Sequence, residues 1–325
     1  MKGTFVIALI TIFSMLVIPL SSLSGSQGVT LPTSKAQSDV AYENKTQNTQ
    51  NNKFEKIKVL KGDAVIEVSA TDYIFGVVAA EMPALYEVEA LKAQAVAAYT
   101  FALYRKSVNQ NTEYDISADP ETAQCFISRE EASAKWGDKA DEYTKKIEDC
   151  IAAVEGEFLT YDNAPIFAAY HAISAGNTNN CADVWGNELP YLKSVDSVGD
   201  KLADGYLSEV TFTTDEIAEK LSGITAASGE AQNYFSNAVT TDNGYVKEIS
   251  YCGEKTVGST ISKLLGLRST NFEVSFNDGI FTFSVKGYGH GVGMSQSGAN
   301  YMAQQGSSYD EILLHYYSGA NLEKN

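Results

Sequence analysis

Basic residues are scarce in this chain. Of its 325 residues, 24 are Lys or Arg against 41 Asp or Glu, a formal net charge of −17. Nucleic-acid binding draws its affinity from clustered Lys and Arg, so DNA and RNA are excluded as partners. Cysteine is sparse as well. Cys125, Cys150, Cys181 and Cys252 are widely spaced, and none forms a CxxC pair. Scattered cysteines of this kind read as small buried hydrophobes rather than a zinc loop, and no metal or other cofactor is expected. One disulfide formed after export stays open, with no pairing indicated. There are three histidines but no G-x-S-x-G elbow, which argues against a serine hydrolase. No GKS/T ending follows the glycine-rich run near the C-terminus, and no βαβ pattern surrounds it, which argues against a nucleotide site. No internal repeat is present.

Charge is missing altogether from one long stretch. After Lys2 the next charged residue is Lys35, and residues 5–20 are almost wholly apolar. A charged start, an apolar run and the small residues Ser21, Ser22 and Ser24 read as a secretory signal. The same run could span about 30 Å as a helix and remain as an anchor. Lys2 places the N-terminus inside and the body outside. Export is common to both readings. A single-pass membrane protein with an extracytoplasmic body is the expectation, and secretion after cleavage the alternative. Residues 1–24 are thus signal or anchor. Residues 25–53, rich in Ser, Gln, Asn and Thr, form a flexible linker, and residues 54–325 form the folded body.

Within the body the expected class is α+β, mixed strands and helices without βαβ regularity. Residues 57–60 and 65–68 form strands around a Gly62-Asp63 turn. Residues 73–80 form a short helix stopped by Pro83. Residues 87–104 form the clearest helix, with Leu91, Ala95, Ala98 and Ala102 as a stripe of small residues for close packing. Residues 143–154 are helical, residues 158–161 and 166–171 form a hairpin, and residues 209–238 form an acidic, helical insert. Residues 245–251 are strand and 257–265 helix. Residues 272–276 and 281–285 pair across an Asp278-Gly279 turn. Ser308 and Glu311 make a capping box for a last helix.

Three stretches could carry chemistry. In residues 76–83, Glu81 follows four small or apolar residues at a helix end. Desolvation and the negative helix end both favour its protonated form. A carboxyl kept protonated near neutral pH is what a general acid for glycosidic cleavage needs. An exposed helix-end glutamate is the plainer alternative. In the second stretch, His171 leaves a strand into a polar loop with Ser174, Asp183 and Trp185. Such groups suit sugars, whose hydroxyls need partners and whose apolar faces stack on rings. In the third, residues 286–298 carry five glycines together with His290, Ser295 and Gln296, a candidate ligand-facing edge. His171, Ser174, Asp183, His290, Ser295 and Gln296 are therefore the substrate-binding candidates and Glu81 the catalytic one.

At these stretches the sequence resembles the family of stage II sporulation protein D and the related amidase enhancers. The likeness is carried by residues 76–83 running into 89–98, by 171–185 with 189–192, and by 287–298 with 315–319, in the family's order. It implies a lytic transglycosylase that cleaves between N-acetylmuramic acid and N-acetylglucosamine in peptidoglycan glycan strands, with a preference for strands stripped of stem peptides. It also implies that Glu81 is the catalytic glutamate, that the setting is sporulation and engulfment, and that stage II sporulation proteins P and M are partners. The alternative within the same resemblance is a non-catalytic amidase enhancer that binds glycan and stimulates a cell-wall amidase. Two departures stand out. Where the family commonly has Arg-Thr-Tyr, this chain has Tyr99-Thr100-Phe101. Where some members bind zinc, near residues 115–126, only Cys125 offers a thiolate.

Overall fold

A tight hairpin opens the body in the computed structural model, which describes residues 56–109, 112–119 and 122–325. The leader (1–24) and the linker (25–53) fall outside these residues. Strands β1 (Lys56–Lys61) and β2 (Ala64–Ser69) pair antiparallel around Gly62, and β3 (Ile116–Ser117) adds to β1 in parallel. The Ser69 hydroxyl then accepts from the backbone N–H of Asp72 and caps helix α1 (Ala70–Glu81). Met82 turns the chain to extended backbone, and Pro83 cannot continue the helix, so Glu81 is the last helical residue. From Tyr73 to Ala79 every residue of α1 is buried. A helix apolar on all faces belongs inside the body.

Helix α2 (Val88–Val108) is buried along most of its length, and its alanines let α1 approach closely. Helix α3 (Arg129–Trp136) packs on α1, and α4 (Ala140–Ala153) packs on α1, α2 and α3. Strands β4 (Glu157–Tyr161) and β5 (Ala164–Pro165) form a short hairpin, with Asp162 and Asn163 both at positive φ. The expected second strand is divided: only Ala164–Pro165 pairs with β4, and residues 170–171 form a separate strand, β6 (Tyr170–His171). A short helix, α5 (Cys181–Trp185), follows.

The elements within residues 207–286 build a second core. Strand β7 (Leu207–Thr213), helix α6 (Thr214–Lys220), strands β8 (Phe235–Thr240), β9 (Val246–Tyr251) and β10 (Glu254–Val257), helix α7 (Gly258–Leu265), and the hairpin β11 (Phe272–Asn277) and β12 (Ile280–Lys286) bury Phe212, Tyr251, Phe281 and Phe283 together. The acidic insert expected to be helical is helical over Thr214–Lys220, with a single 3₁₀ turn at Ala231–Asn233, and its two ends are strands. Phe212 of β7 is buried in this second core, Val210 and Phe235 pack against it, and β7 pairs along its length with β12. The chain closes with β13 (Met294–Ser295), α8 (Gln296–Gln304), α9 (Tyr309–Tyr316) and β14 (Asn321–Lys324), the last returning to pair with β4. Among the described residues no helix is long and apolar enough to cross a membrane. The architecture is α+β.

Candidate active site

Glu81 is positioned by the way α1 ends. The helix is held in the core, so its last residue projects from packed apolar surface while keeping part of its own surface accessible. Residues 124–127 run beside the helix, with the Ile127 N–H donating to the Gly76 carbonyl at 3.3 Å. That approach is possible because position 76 has no side chain: a Cβ there would lie 2.3 Å from the Ile127 carbonyl oxygen and 2.5 Å from the Phe126 ring. One turn further along, the Cys125 N–H donates to Glu81 Oε1 at 2.8 Å. Lys135 of α3 donates to the Ala79 carbonyl at 2.9 Å, at the negative end of α1.

The second and third stretches meet at the same carboxyl. Strand β6 pairs in parallel with β13, Tyr170 opposite Met294 and His171 opposite Ser295. Gly293, at φ +72°, makes this possible, because a Cβ there would come 2.0 Å from the Ala169 carbonyl oxygen. The pairing carries Tyr170 from one loop and Gln296 from the other towards Glu81, where the polar groups of both favour the charged form of its carboxyl. Burial raises the Glu81 pKa above the usual carboxylate range. The Cys125 N–H, Tyr170, Gln296 and the charge of Lys135 oppose that shift without cancelling it. Behind this shell Tyr170 donates to Gln124 Oε1 at 3.0 Å, and Gln296 Nε2 donates to Gln94 Oε1 at 3.3 Å.

Both histidines on these loops are neutral. His171 is 4% exposed, its Nδ1–H donates to the Val292 carbonyl at 3.1 Å, and its Nε2 is buried without a partner. Burial lowers its pKa to about 4. His290 accepts from the Val292 N–H at Nδ1, and burial followed by the neighbouring His171 lowers its pKa to about 3. The His290 ring lies 5.7 Å from that of His171 and 5.0 Å from that of Trp185, with Phe167 behind Trp185 at 5.4 Å. This aromatic edge rests on the strand that delivers Tyr170.

The remaining candidates are placed differently. Ser174 and Ser295 are fully buried, and both donate to Asp200, at 2.5 and 2.7 Å. The Ser174 N–H joins them at 2.9 Å. These hydroxyls fasten the loops to a buried carboxylate and do not present a sugar-facing edge. Ser295 also caps α8 through the Gly298 N–H. Asp183 sits on α5 beside Trp185 but is paired with Lys247 at 2.8 Å. Tyr99 lines a small cavity of about 60 Å³ with Ile74, Ile151 and Glu157, and none of the groups that touch Glu81 borders it. An open concavity of about 710 Å³ between α2 and α4, lined by Lys92, Asp141, Lys145 and Asp149, is also separate from Glu81. Sequence reasoning missed Tyr170, Gln124, the Cys125 N–H and Lys135. Ser128-x-x-Glu131 was a capping-box signal for α3, the helix that brings Lys135. All four cysteines are free.

Comparison with known proteins finds relatives along most of the chain. A family model described as SpoIID, stage II sporulation protein, matches residues 60–161. Stage II sporulation protein D of Bacillus amyloliquefaciens is 38% identical over 264 residues, covering 80% of this chain and 76% of that protein. Its counterpart in Bacillus subtilis strain 168 is 37% identical over 264 residues, with the same coverage. A Bacillus subtilis protein named amidase enhancer is 26% identical over 305 residues, covering 76% of this chain and 40% of that protein.

Proposed function

The chain belongs to the stage II sporulation protein D family, and from that premise we propose that it is a peptidoglycan lytic transglycosylase acting on glycan strands during engulfment. The observation that carries this reading is the Glu81 carboxyl, the last residue of a buried helix, fixed by the Cys125 N–H at 2.8 Å and held above its usual pKa by burial. A group of that kind suits the acid half of a glycosidic cleavage. Glu81 donates its proton to the oxygen linking N-acetylmuramic acid to N-acetylglucosamine, and the C1–O bond breaks. The resulting carboxylate takes the proton from the muramoyl C6 hydroxyl, whose oxygen bonds to C1. A 1,6-anhydro end forms, and Glu81 is again an acid. Water is not consumed. A second carboxylate, which an inverting hydrolase needs to activate water, is unnecessary here because the nucleophile is tethered to the sugar.

The wall substrate lies outside the cytoplasm, and the uncharged run after Lys2 supports an exported body held at the membrane by residues 1–24. Strands already freed of stem peptides are the proposed substrate, and stage II sporulation proteins P and M the proposed partners, on family likeness.

The reading is tested by incubating the full-length chain with denuded glycan strands and resolving the products by mass spectrometry. Anhydro-muramoyl ends from the wild type and none from Glu81→Gln are expected. Equal product from Glu81→Gln would end the proposal. The relative named amidase enhancer favours one second reading, a glycan-binding protein that stimulates an amidase. Stimulation of a stem-peptide amidase that survives Glu81→Gln distinguishes it.

A further inference from the structure

Helix α3 has three cations on it or against it, and two are already matched. Arg129 pairs with Asp72 and Glu148, and Lys61 pairs with Glu131. Lys135 has no carboxylate partner among the described residues. Its ammonium donates at 2.9 Å to the Ala79 carbonyl, two residues before Glu81 in α1. About 3 Å of helix rise separates those two positions. One of the three N–H donors of an ammonium satisfies that carbonyl, and the charge itself stays unmatched. The residue keeps an exposed surface, yet partial burial of its ammonium lowers its pKa. An accessible cation short of hydration, in a chain of net charge −17, is a place where an anionic ligand is gathered rather than repelled.

We propose that Lys135 is a specificity residue of the Glu81 site, pairing with the free lactyl carboxylate that N-acetylmuramic acid carries once its stem peptide is gone. This rests on the reading of Glu81 as the acid that cleaves at that sugar. The lactyl ether stands on C3 of the ring whose C1–O bond breaks. Carboxylate and scissile bond thus belong to one sugar, as Lys135 and Glu81 belong to one helix end. While a stem peptide is attached, the lactyl carboxyl is an uncharged amide and forms no ion pair. Once it is free, its oxygens accept from the donors that Ala79 leaves unused, a charge-assisted bond. Preference for bare strands then follows from a single charge. A lysine that only capped α1 would not discriminate between the two kinds of strand.

The test measures binding to full-length Glu81→Gln protein by fluorescence anisotropy, with labelled glycan strands. Strands freed of stem peptides are compared with the same strands after their lactyl carboxyls are converted to methylamides. With Lys135 present, the methylamide strands are expected to bind about five- to tenfold more weakly. Adding Lys135→Met should weaken the free-carboxyl strands by a similar factor and leave the methylamide strands unaffected. Lys135→Arg, which keeps the charge, should restore the difference. A Lys135→Met protein that still separates the two strands overturns the proposal. So does equal weakening on both, the outcome of a purely capping role. Weakening of peptide-bearing strands as well would assign the charge to stem-peptide carboxylates and also overturns it. If Lys135→Met does not fold, Lys135→Gln, which keeps an N–H donor without the charge, decides by the same criteria. Binding does not depend on turnover. Loss of discrimination with an inactive Glu81→Gln sinks the role of Lys135 alone, whereas a fully active Glu81→Gln sinks the acid/base reading beneath it.

Discussion

Cys125 and Glu81 are 44 residues apart in the chain, and the backbone N–H of the first donates to Oε1 of the second at 2.8 Å. This bond fixes one carboxyl oxygen. It also opposes the effect of burial, and Tyr170, Gln296 and the charge of Lys135 act in the same direction. The amide is in place because residues 124–127 lie against the one glycine of α1.

Gly76→Ala tests that dependence. The added methyl would meet the Ile127 carbonyl and the Phe126 ring, and backbone cannot swing aside as a side-chain end can. A stability loss of about 1–3 kcal/mol is expected from overpacking, measured by urea unfolding. Anhydro-product formation should fall by about 10–100-fold as Cys125 moves from Glu81. An unchanged rate at reduced stability would separate the amide from the chemistry.

Glu81→Gln is expected to stabilise the protein at neutral pH while abolishing turnover. The folded pKa of Glu81 is raised, so the folded state binds its proton more tightly than the unfolded chain does. Stability from this group is therefore present below the unfolded pKa and lost as pH rises through the folded one. Glutamine removes that loss. A gain of about 1 kcal/mol, or roughly 2–4 °C in Tm, is expected at pH 7 and should vanish near pH 4. Calorimetry of both proteins at the two pH values checks it.

His171 should make the protein acid-sensitive. Its pKa falls from 6.5 to about 4 on folding, so the unfolded chain binds more protons between those values. Its contribution is intact above pH 6.5 and is lost as pH falls towards 4. The loss is on the order of 2–3 kcal/mol. His171→Gln, which cannot ionise, should flatten the stability profile across that window. An equally steep decline in the variant would assign the acid sensitivity elsewhere.

Asp200→Ala should loosen both loops together. It leaves the Ser174 hydroxyl, the Ser174 N–H and the Ser295 hydroxyl without their buried acceptor. A destabilisation of about 3 kcal/mol is expected by urea unfolding. Because Ser295 also pairs opposite His171 across β6 and β13, activity should fall with it.

Elements that depend on neighbouring residues were legible in the sequence. The Gly62 and Asp278-Gly279 turns, the helix stopped before Pro83 and the Ser308 capping box all stand where local chemistry placed them. Glu81 was legible for the same reason, as a lone carboxyl after apolar residues at a helix end. Its partners were not. Gln124 meets Tyr170 across 46 residues and Gln296 meets Gln94 across 202, and nothing in either local sequence marks those distances. Ser174 and Ser295 misled for the opposite reason. In a glycine-rich, polar loop they resemble ligand groups, but Asp200, 26 and 95 residues away, accepts their hydrogen bonds. Within residues 209–238, acidity suggested helix, whereas pairing with β12 and burial of Phe212 made its first segment a strand.

The seamless burial of α1 from Tyr73 to Ala79 has a thermal consequence. Whatever loosens that helix also lets water reach the residue at its tip, and hydration returns a carboxyl towards its ordinary acidity. On warming, catalysis should thus fade with the first breathing of the interior rather than at the final collapse, making turnover a sensitive gauge of how tightly the body is closed.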